Sequence, residues 1–443
     1  MVSTGRLAVL LGVMFGLAGS STSAVTVALP ELAAALAITP STASWIVSGY
    51  TVALAVATAT HGRLADMFGI RLPLCLGIAT MALGAVAAAL APTFALLMVA
   101  RVVQGLGAAA VPVLATALIS ARVEGSAQAA ALGRIAGIAA TLGAFGPLAG
   151  GALEAAGGWR WALALPAVGA LALPLLWRAA PTDGSGEPLD VRGAVFVAMA
   201  ATGLVLLIQS PSAGLVTGAV GAGLLLLGVP ATILHVRARP GGFLPRAVAT
   251  NGTVLRSAFA TAAVPASWFA LFLGVPLAAA SWGWSPLATG ALLLPSAAIG
   301  FVSPRLARAV IDRVGARRAI ALACPTAVVA LLTAALGGVV AGQWAGPALL
   351  SGAVALVTVA FGVGQPAMIS SVGSAVPADR RGVALGIATL VFLTGASVGA
   401  ALVGGLAEVV GIPAALCVLV VLPVAGLAAL LLGGPAGAEP AAT

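Results

Sequence analysis

Residues 72–91 read LPLCLGIATMALGAVAAALA and carry no charge. A helix needs about 20 mostly apolar residues to cross a bilayer, so this stretch predicts a transmembrane helix. Similar apolar runs recur from Leu7 almost to the C-terminus of the 443-residue chain. They are continuous rather than alternating, which excludes a transmembrane β-barrel. The sequence therefore predicts an all-α polytopic membrane protein.

The composition supports the same class. Hydrophobic residues make up 61% of the chain and charged residues only 7%, too few charges to cover the surface of a soluble domain. The net charge is +9 and every strongly basic residue is arginine, which membrane topology explains better than a nucleic-acid partner. Cys75, Cys324 and Cys417 lie far apart in apolar segments, so we interpret them as packing residues. No metal site or cofactor is expected.

Fourteen spans are predicted when the chain is divided at proline, glycine and charge clusters. They are 7–29, 44–63, 72–91, 94–119, 128–153, 160–178, 193–209, 213–236, 252–276, 286–307, 317–338, 344–368, 380–405 and 412–432. The predicted organisation is an N-terminal six-helix bundle (1–180), a linker (181–192), an inserted hairpin turning at 210–212 (193–236), a linker (237–251), a C-terminal six-helix bundle (252–434) and a tail (435–443).

The arginines fix a predicted orientation. With a cytoplasmic N-terminus, all but two of the 20 arginines fall on the cytoplasmic side, since Arg160 lies outside and Arg101 lies within a span. This agrees with the excess of basic residues in cytoplasmic loops and places both termini inside. The absence of lysine beside abundant Ala, Gly and Arg indicates a GC-rich bacterial genome, so a bacterial cell membrane is expected.

Three motifs carry a family resemblance. They are GRLADMFGIR at residues 62–71, RVVQGLG at 101–107 and GAFGPLAGG at 143–151. In this order, on a loop and two spans, they resemble the signatures of the major facilitator superfamily. Together with the VALP stretch at 27–30, Tyr50 and the GWRW stretch at 158–161, they resemble its fourteen-helix drug:proton antiporter branch. The D-x-x-G of Asp66 and Gly69 recurs at Asp312 and Gly315, which indicates two related halves.

The resemblance implies roles for two of these motifs. The loop residues Gly62, Asp66, Gly69 and Arg71, with Glu124, would form a cytoplasmic gate in which Asp66 faces the start of the thirteenth span; a solvated topogenic loop is the alternative. The antiporter-type motif of Gly143, Gly146, Pro147, Gly150 and Gly151 is associated in the family with exporters. Close helix packing without directional meaning is the alternative there.

Candidate pathway residues follow partly from charge. Arg101 is the only charged residue well inside a span and Gln104 shares its face, so Arg101 must meet a cavity or a partner; an arginine bound to carbonyls is the structural alternative. Where related sequences place Asp and Asn before VALP, this chain has Ser21 and Thr26, and no carboxylate is predicted at the midplane. The candidate proton carriers are therefore Glu31 and Glu154. Thr22, Thr26, Arg101, Gln104, Trp268 and Gln365 are expected to line the cavity.

These features predict a secondary active exporter of hydrophobic or amphiphilic small molecules, such as a drug, antibiotic or secondary metabolite. A mostly apolar cavity suits such a substrate better than a sugar. Proton antiport with alternating access is expected of a functional monomer. The alternative is a metabolite carrier or uniporter without proton coupling. An enzyme or a sensor is disfavoured, because no intramembrane catalytic cluster and no soluble output domain is predicted.

Overall fold

The computed structural model describes residues 3–123, 125–182, 190–340, 344–376 and 381–432. Within these ranges it contains helices and connections but no strand, so the all-α prediction is confirmed. The helices are α1 (Thr4–Ala35), α2 (Pro40–Phe68), α3 (Arg71–Leu90), α4 (Phe94–Ala108), α5 (Ala110–Ser120), α6 (Gly125–Gly157), α7 (Trp159–Ala164), a 3₁₀ helix (Leu165–Ala172), α8 (Leu173–Ala179), α9 (Val191–Ala213), α10 (Leu215–Ala238), α11 (Arg246–Ala249), α12 (Gly252–Ser281), α13 (Pro286–Leu292), α14 (Leu294–Val314), α15 (Ala316–Val339), α16 (Ala345–Ser374), α17 (Arg381–Val410), α18 (Ile412–Leu419) and α19 (Val421–Leu432).

Thirteen helical segments in the described ranges are long and apolar enough to cross a membrane, and the bent helix α6 brings the number to as many as 14. The predicted polytopic membrane architecture is confirmed. Some predicted single spans are interrupted, because α4 and α5 meet at Ala109 and α18 and α19 meet at Val420. Glu124, assigned from sequence to the gate, lies outside the described residues.

The hairpin turn is one correction. A loop was predicted at residues 210–212, but α9 continues through Ala213 and the chain reverses at Gly214, whose φ is 89°. Proline at position 211 removes the N–H that would bind the carbonyl of Leu207. The Ser210 hydroxyl donates to that carbonyl instead, at 2.8 Å. The last turn therefore stays helical, and glycine supplies the left-handed conformation.

Helix α6 is bent by 41° where 137–143 joins 145–157. Pro147 lacks the N–H that would bind the carbonyl of Gly143. The Ser23 hydroxyl of α1 donates to that carbonyl at 2.9 Å. In a membrane interior a freed carbonyl must find such a partner, so α1 stabilises the bend.

We call α1–α8 the N-terminal half and α12–α19 the C-terminal half. The halves meet where α2 packs against α17, α6 against α13 and α14, and α1 against α12. Helix α9 packs against both α2 and α17, whereas α10 packs mainly against α9. The hairpin therefore lies along one seam between the halves.

We call the end that holds residues 36–39 and Gly158 the outer end, after the predicted orientation, and the opposite end the inner end. One apolar cluster near the outer end contains buried residues of both halves, among them Val25 and Leu29 with Leu271 and Val275. Among the described residues, no other apolar cluster contains residues of both halves. Apolar contact between the halves is thus concentrated toward the outer end.

Candidate functional site

A cavity of ≈ 240 Å³ lies between the halves at mid-height, and we call it the central cavity. The N-terminal half contributes side chains from the middle of α1, α2 and α6, and the C-terminal half contributes side chains from α12, α14, α16 and α17. Its polar lining residues are Thr22, Tyr50, Thr51, Trp268, Ser303, Thr358, Gln365 and Thr389. No carboxylate lines it among the described residues. The arrangement suits a mostly apolar molecule that makes a few hydrogen bonds.

Aromatic rings form one wall of the central cavity. Trp268, Phe361 and Phe392 line it; the ring of Trp268 lies 5.4 Å from Phe361, which in turn lies 5.4 Å from Phe392. Behind this wall, Phe272 is buried and stacks on Trp268 with ring centroids 3.8 Å apart. The indole N–H of Trp268 donates to the Thr358 hydroxyl at 3.3 Å. Only Trp268 of this wall was expected from the sequence. Phe361 and Phe392 come from α16 and α17, and no local pattern in the sequence brings them to Trp268.

Three residues that we expected on the cavity wall lie elsewhere. Thr22, Trp268 and Gln365 line the cavity, but Thr26, Arg101 and Gln104 do not. Thr26 is fully buried one turn closer to the outer end, where α1 packs against α12, and its hydroxyl donates to the carbonyl of Ser23 at 2.8 Å. Arg101 and Gln104 are fully buried inside the N-terminal half. Their parts in transport stay predictions.

Arg101 is held by groups of three helices. Its Nε donates to the Ile46 carbonyl at 3.0 Å, and one terminal nitrogen donates to Ser21 Oγ at 2.9 Å and to Gln104 Oε1 at 2.7 Å. Its guanidinium lies 4.2 Å from the ring centroid of Tyr50, a cation–π contact. Because Tyr50 lines the central cavity, Arg101 is one side chain removed from it. The bond to the Ile46 carbonyl is the contact expected if Arg101 has a purely structural role, the alternative given above.

Of the predicted gate, the side chain of Asp66 lies outside the described part of the structure, whereas Gly62, Gly69 and Arg71 lie within it. Gly69 ends α2 with φ of 74°, a left-handed conformation that favours glycine. Arg71 binds the end of the sixth span, because its Nε donates to the Ala180 carbonyl at 2.9 Å and its N–H to the Pro181 carbonyl at 3.0 Å. Gly62 faces Val113, with room for a methyl group.

The antiporter-type motif lies against two neighbours. A methyl group at Gly146 would collide with Ser23 and one at Gly150 with the backbone of Ala24, so α6 touches α1 through these glycines. Gly151 touches the backbone of Pro286 in the C-terminal half. Gly143 has open space around it and lines the central cavity. The motif therefore packs α6 against α1 within the N-terminal half and against α13 of the C-terminal half.

The two candidate proton carriers lie together. Glu31 and Glu154 both line a second cavity of ≈ 400 Å³ at the outer end, which we call the outer pocket. Glu31 is exposed, while Glu154 is only 5% exposed. Neither makes any of the contacts described for Arg101, which the sequence had placed in the same vestibule.

Two polar contacts were missed by sequence reasoning. At the outer end, the Ser41 N–H of α2 donates to Glu408 Oε1 of α17 at 2.9 Å, and this bond joins the halves. At the inner end, Asp190 binds His235 Nε2 at 2.7 Å and accepts from the Phe243 N–H at 2.8 Å. Partial burial alone raises the pKa of Asp190, but the hydrogen bonds from Phe243, His235 and Gly193 bring it below its ordinary value. Both contacts join residues far apart in sequence.

A family model described as Major Facilitator Superfamily matches residues 11–391. The chain is 30% identical over 401 residues to the Multidrug resistance protein Stp of Mycobacterium tuberculosis (strain CDC 1551 / Oshkosh), covering 86% of this chain and 71% of that protein. It is also 30% identical over 436 residues to the Tetracenomycin C resistance and export protein of Streptomyces glaucescens, covering 90% and 74%.

The fold has solved counterparts. A crystal structure of a POT family transporter in complex with 5-aminolevulinic acid matches with a TM-score of 0.73, covering 96% of this chain and 95% of that one. Its sequence identity of 14% supports a shared fold and nothing finer.

Proposed function

The chain belongs to the major facilitator superfamily, and on that basis we propose that it exports hydrophobic or amphiphilic small molecules by alternating access. It is a multi-pass membrane transporter of small molecules and not an enzyme. The proposed setting is a bacterial cell membrane, with both termini cytoplasmic. The proposed moving bodies are the six-helix bundles 1–180 and 252–434, with 193–236 as an inserted hairpin.

The observation that carries this proposal is the central cavity. It lies between the halves, its aromatic wall offers a surface for an apolar body, and Thr22 and Gln365 offer a few hydrogen bonds. A sugar would require many more polar partners. Relatives at about 30% identity are named for multidrug resistance and antibiotic export, which supports a drug or secondary metabolite as substrate.

Proton antiport is the proposed source of energy, with Glu31 or Glu154 as the group that exchanges the proton. Both lie in the outer pocket, between helices of the two halves, where a change of conformation alters their surroundings. A proton drives transport only if it binds the two conformations with different affinity. A carboxyl group at a seam between the halves meets that condition.

Transport into inverted membrane vesicles tests the proposal. A panel of amphiphilic compounds is offered with and without a pH gradient, and we expect at least one to accumulate faster with the gradient. Glu31→Gln, Glu154→Gln and the double variant keep the shape but cannot exchange a proton. If either acid is the carrier, its variant loses the response to the gradient and still binds substrate. A wild-type response in all three variants would exclude both acids.

A second candidate is a carrier or uniporter without proton coupling. The specific observation in its favour is that no carboxylate lines the described part of the central cavity. In that case the panel would equilibrate in both directions, with the same initial rate whether or not a gradient is present.

A further inference from the structure

Four exposed arginines lie at the base of the inserted hairpin, at the inner end of the molecule. Arg192 is the second residue of α9 and Arg237 lies in the last turn of α10. Arg239 and Arg246 lie in the segment that follows α10, where Arg246 begins α11. We call these four residues the basic cluster.

Hydrogen bonds hold the parts of the chain that carry the basic cluster side by side. Asp190, just before α9, binds His235 Nε2 of α10 at 2.7 Å and accepts from the Phe243 N–H at 2.8 Å. The segment after α10 also closes on itself, because the Arg246 N–H donates to the Pro240 carbonyl at 2.9 Å. A topological signal requires only that arginines lie in the right loop, whereas here the fold gathers them in one place.

The charge of the basic cluster is not neutralised within the described part of the chain. None of its arginines forms an ion pair there, whereas Arg308 pairs with Asp312 at 3.6 Å. The carboxylate of Asp190 already accepts hydrogen bonds at both of its oxygens. The linker before it adds Asp183 and Glu187, two acids against four arginines. A positive excess therefore remains, and it attracts anions.

One face of α10 leads from the membrane interior to the basic cluster. Leu226, Pro230, Ile233 and Arg237 follow one another at intervals of four, three and four residues, so they share this face, and all four are exposed. Leu234 beside them is 62% exposed. We call Leu226, Pro230, Ile233 and Leu234 the apolar strip. Because α10 packs mainly against α9, lipid meets the strip directly.

The length of the strip matches one leaflet of a bilayer. At about 1.5 Å per residue, the distance along the helix from Leu226 to Arg237 is about 16 Å. Half of a hydrocarbon core of about 30 Å is close to this value. A molecule with an acyl chain along the strip thus places its headgroup at the arginines.

These two features together identify the kind of anion. A phospholipid uses both, since its phosphate meets the arginines while its acyl chains follow the strip. Free phosphate or a nucleic acid would use the arginines alone. A zwitterionic headgroup brings a positive charge to the same arginines, so a net negative headgroup is favoured. Clusters of about four to eight basic residues beside a membrane helix attract anionic lipids in this way.

We propose that the basic cluster and the apolar strip of α10 form a binding site for an anionic phospholipid of the inner leaflet. Arg237 and Arg239 hold the phosphate, and the acyl chains pack along Leu226, Ile233 and Leu234. The inference is independent of the proposed export function, because lipid can bind at the hairpin whether or not the protein transports a substrate.

The test measures which lipid contacts α10 in a bilayer. Leu234→Cys, in a full-length chain whose native cysteines are replaced by serine, carries a bimane fluorophore. Phosphatidylglycerol or phosphatidylcholine with brominated acyl chains quenches it on contact, and mixtures of the two lipids give their relative affinity. We expect phosphatidylglycerol to be favoured at least about fivefold, since one basic residue near the surface contributes roughly that factor. Val216→Cys, at the outer end of the same helix and 78% exposed, should report no preference.

Arg237→Gln combined with Arg239→Gln should lower the preference at position 234 to less than about twofold. Arg308→Gln is the matched control, because it removes the same charge from an exposed arginine of the C-terminal half, and it should leave the preference unchanged. A salt titration needs no arginine variant. In about 1 M salt the screening length is about 3 Å, so the preference should fall toward equal affinity.

Three results would overturn the proposal. They are equal contact of the two lipids at position 234, a preference of the same size at position 216, and a preference that survives both high salt and the double arginine variant.

Discussion

Arg101 shows how a charge is kept inside a membrane protein. It is fully buried, and Ile46, Ser21, Gln104 and the Tyr50 ring surround it. The sequence alone could single out Arg101, because it is the only charged residue well inside a span. Its contact with Gln104 follows from their spacing on α4, but Ser21, Ile46 and Tyr50 could not be predicted as partners, because they come from α1 and α2 and only the packing of these helices brings them to Arg101.

We expect Arg101→Ala to reduce transport at least about tenfold at an unchanged protein level, since each lost hydrogen bond to a charged group costs about 1.5–3 kcal/mol. Arg101→Lys should keep part of the activity, because a lysine cannot reproduce the planar fork that reaches Ile46 and Ser21 together. The measurement is uptake into inverted vesicles normalised to protein. Arg308→Ala, which removes an exposed arginine of α14, is the control. Full activity of Arg101→Ala would assign the residue to structure alone.

Asp190 anchors both ends of the inserted hairpin, since it binds His235 and caps the start of α9 through the Gly193 N–H. Its pKa is below the ordinary value, so its contribution to stability is present above the unfolded pKa of about 3.9 and is lost as the pH falls through the lower folded value. We expect Asp190→Asn to lower the melting temperature at pH 7, with a difference from wild type that begins to shrink as the pH falls below about 4 and is lost below the folded pKa. A difference that stays the same as the pH falls below about 4 would contradict this role.

At the scale of helices, glycine pairs set the closest contacts. Gly146 and Gly150 of α6 pack on α1, and Gly395 and Gly399 of α17 pack on the backbone of α12 at Ala262 and Ala266. The spacing of four residues puts each pair on one face, as in small-residue packing of membrane helices. The sequence predicted the first pair within a family motif. Gly395 and Gly399 also form a GxxxG pattern, but the sequence alone does not show which helix that pattern meets.

A methyl group at Gly399 would collide with the carbonyl of Ala266, whereas one at Gly386 on the same helix meets open space. We therefore expect Gly399→Ala to destabilise the protein by about 1–3 kcal/mol through overpacking. Gly386→Ala should be neutral or stabilising by up to about 1 kcal/mol, because alanine favours the helix. Melting of the purified variants in detergent compares the two. Equal melting temperatures would show that α12 and α17 do not approach as closely as described.

Helix positions could be predicted better than helix irregularities. The predicted span 72–91 differs from α3, Arg71–Leu90, by one residue at each end, because charges and turn residues bound it in the sequence. The turn at Gly214 was misplaced, because proline at position 211 indicated a loop and the Ser210 hydroxyl offsets the hydrogen bond it removes. Such side-chain compensation depends on local geometry that periodicity does not report.

At the scale of the molecule, the two halves repeat one another. Gly69 and Gly315 end α2 and α14 with φ of 74° and 82°, and Gly158 and Gly411 precede the last spans of the halves with φ of 78° and 81°. The repeat at Asp66 and Asp312 predicted this relation. The central cavity itself could not be predicted in detail, because it depends on how one half is rotated against the other.

The halves are joined at the outer end by the shared apolar cluster, by Gly151 against Pro286 and by Ser41 against Glu408. Alternating access requires these contacts to open during transport. The central claim is therefore that the central cavity, closed at the outer end in this structure, becomes accessible from outside when substrate is moved.

Reactivity of Gln365→Cys with a membrane-impermeant sulfonated maleimide tests this claim most directly. The native cysteines are replaced by serine, and right-side-out and inverted vesicles are compared. Without substrate, we expect slow labelling from the outer side and faster labelling from the inner side. A transported compound with a pH gradient should raise outer labelling, and the modified protein should no longer transport. Outer labelling that is the same with and without substrate and gradient, or transport that survives modification, would contradict the account.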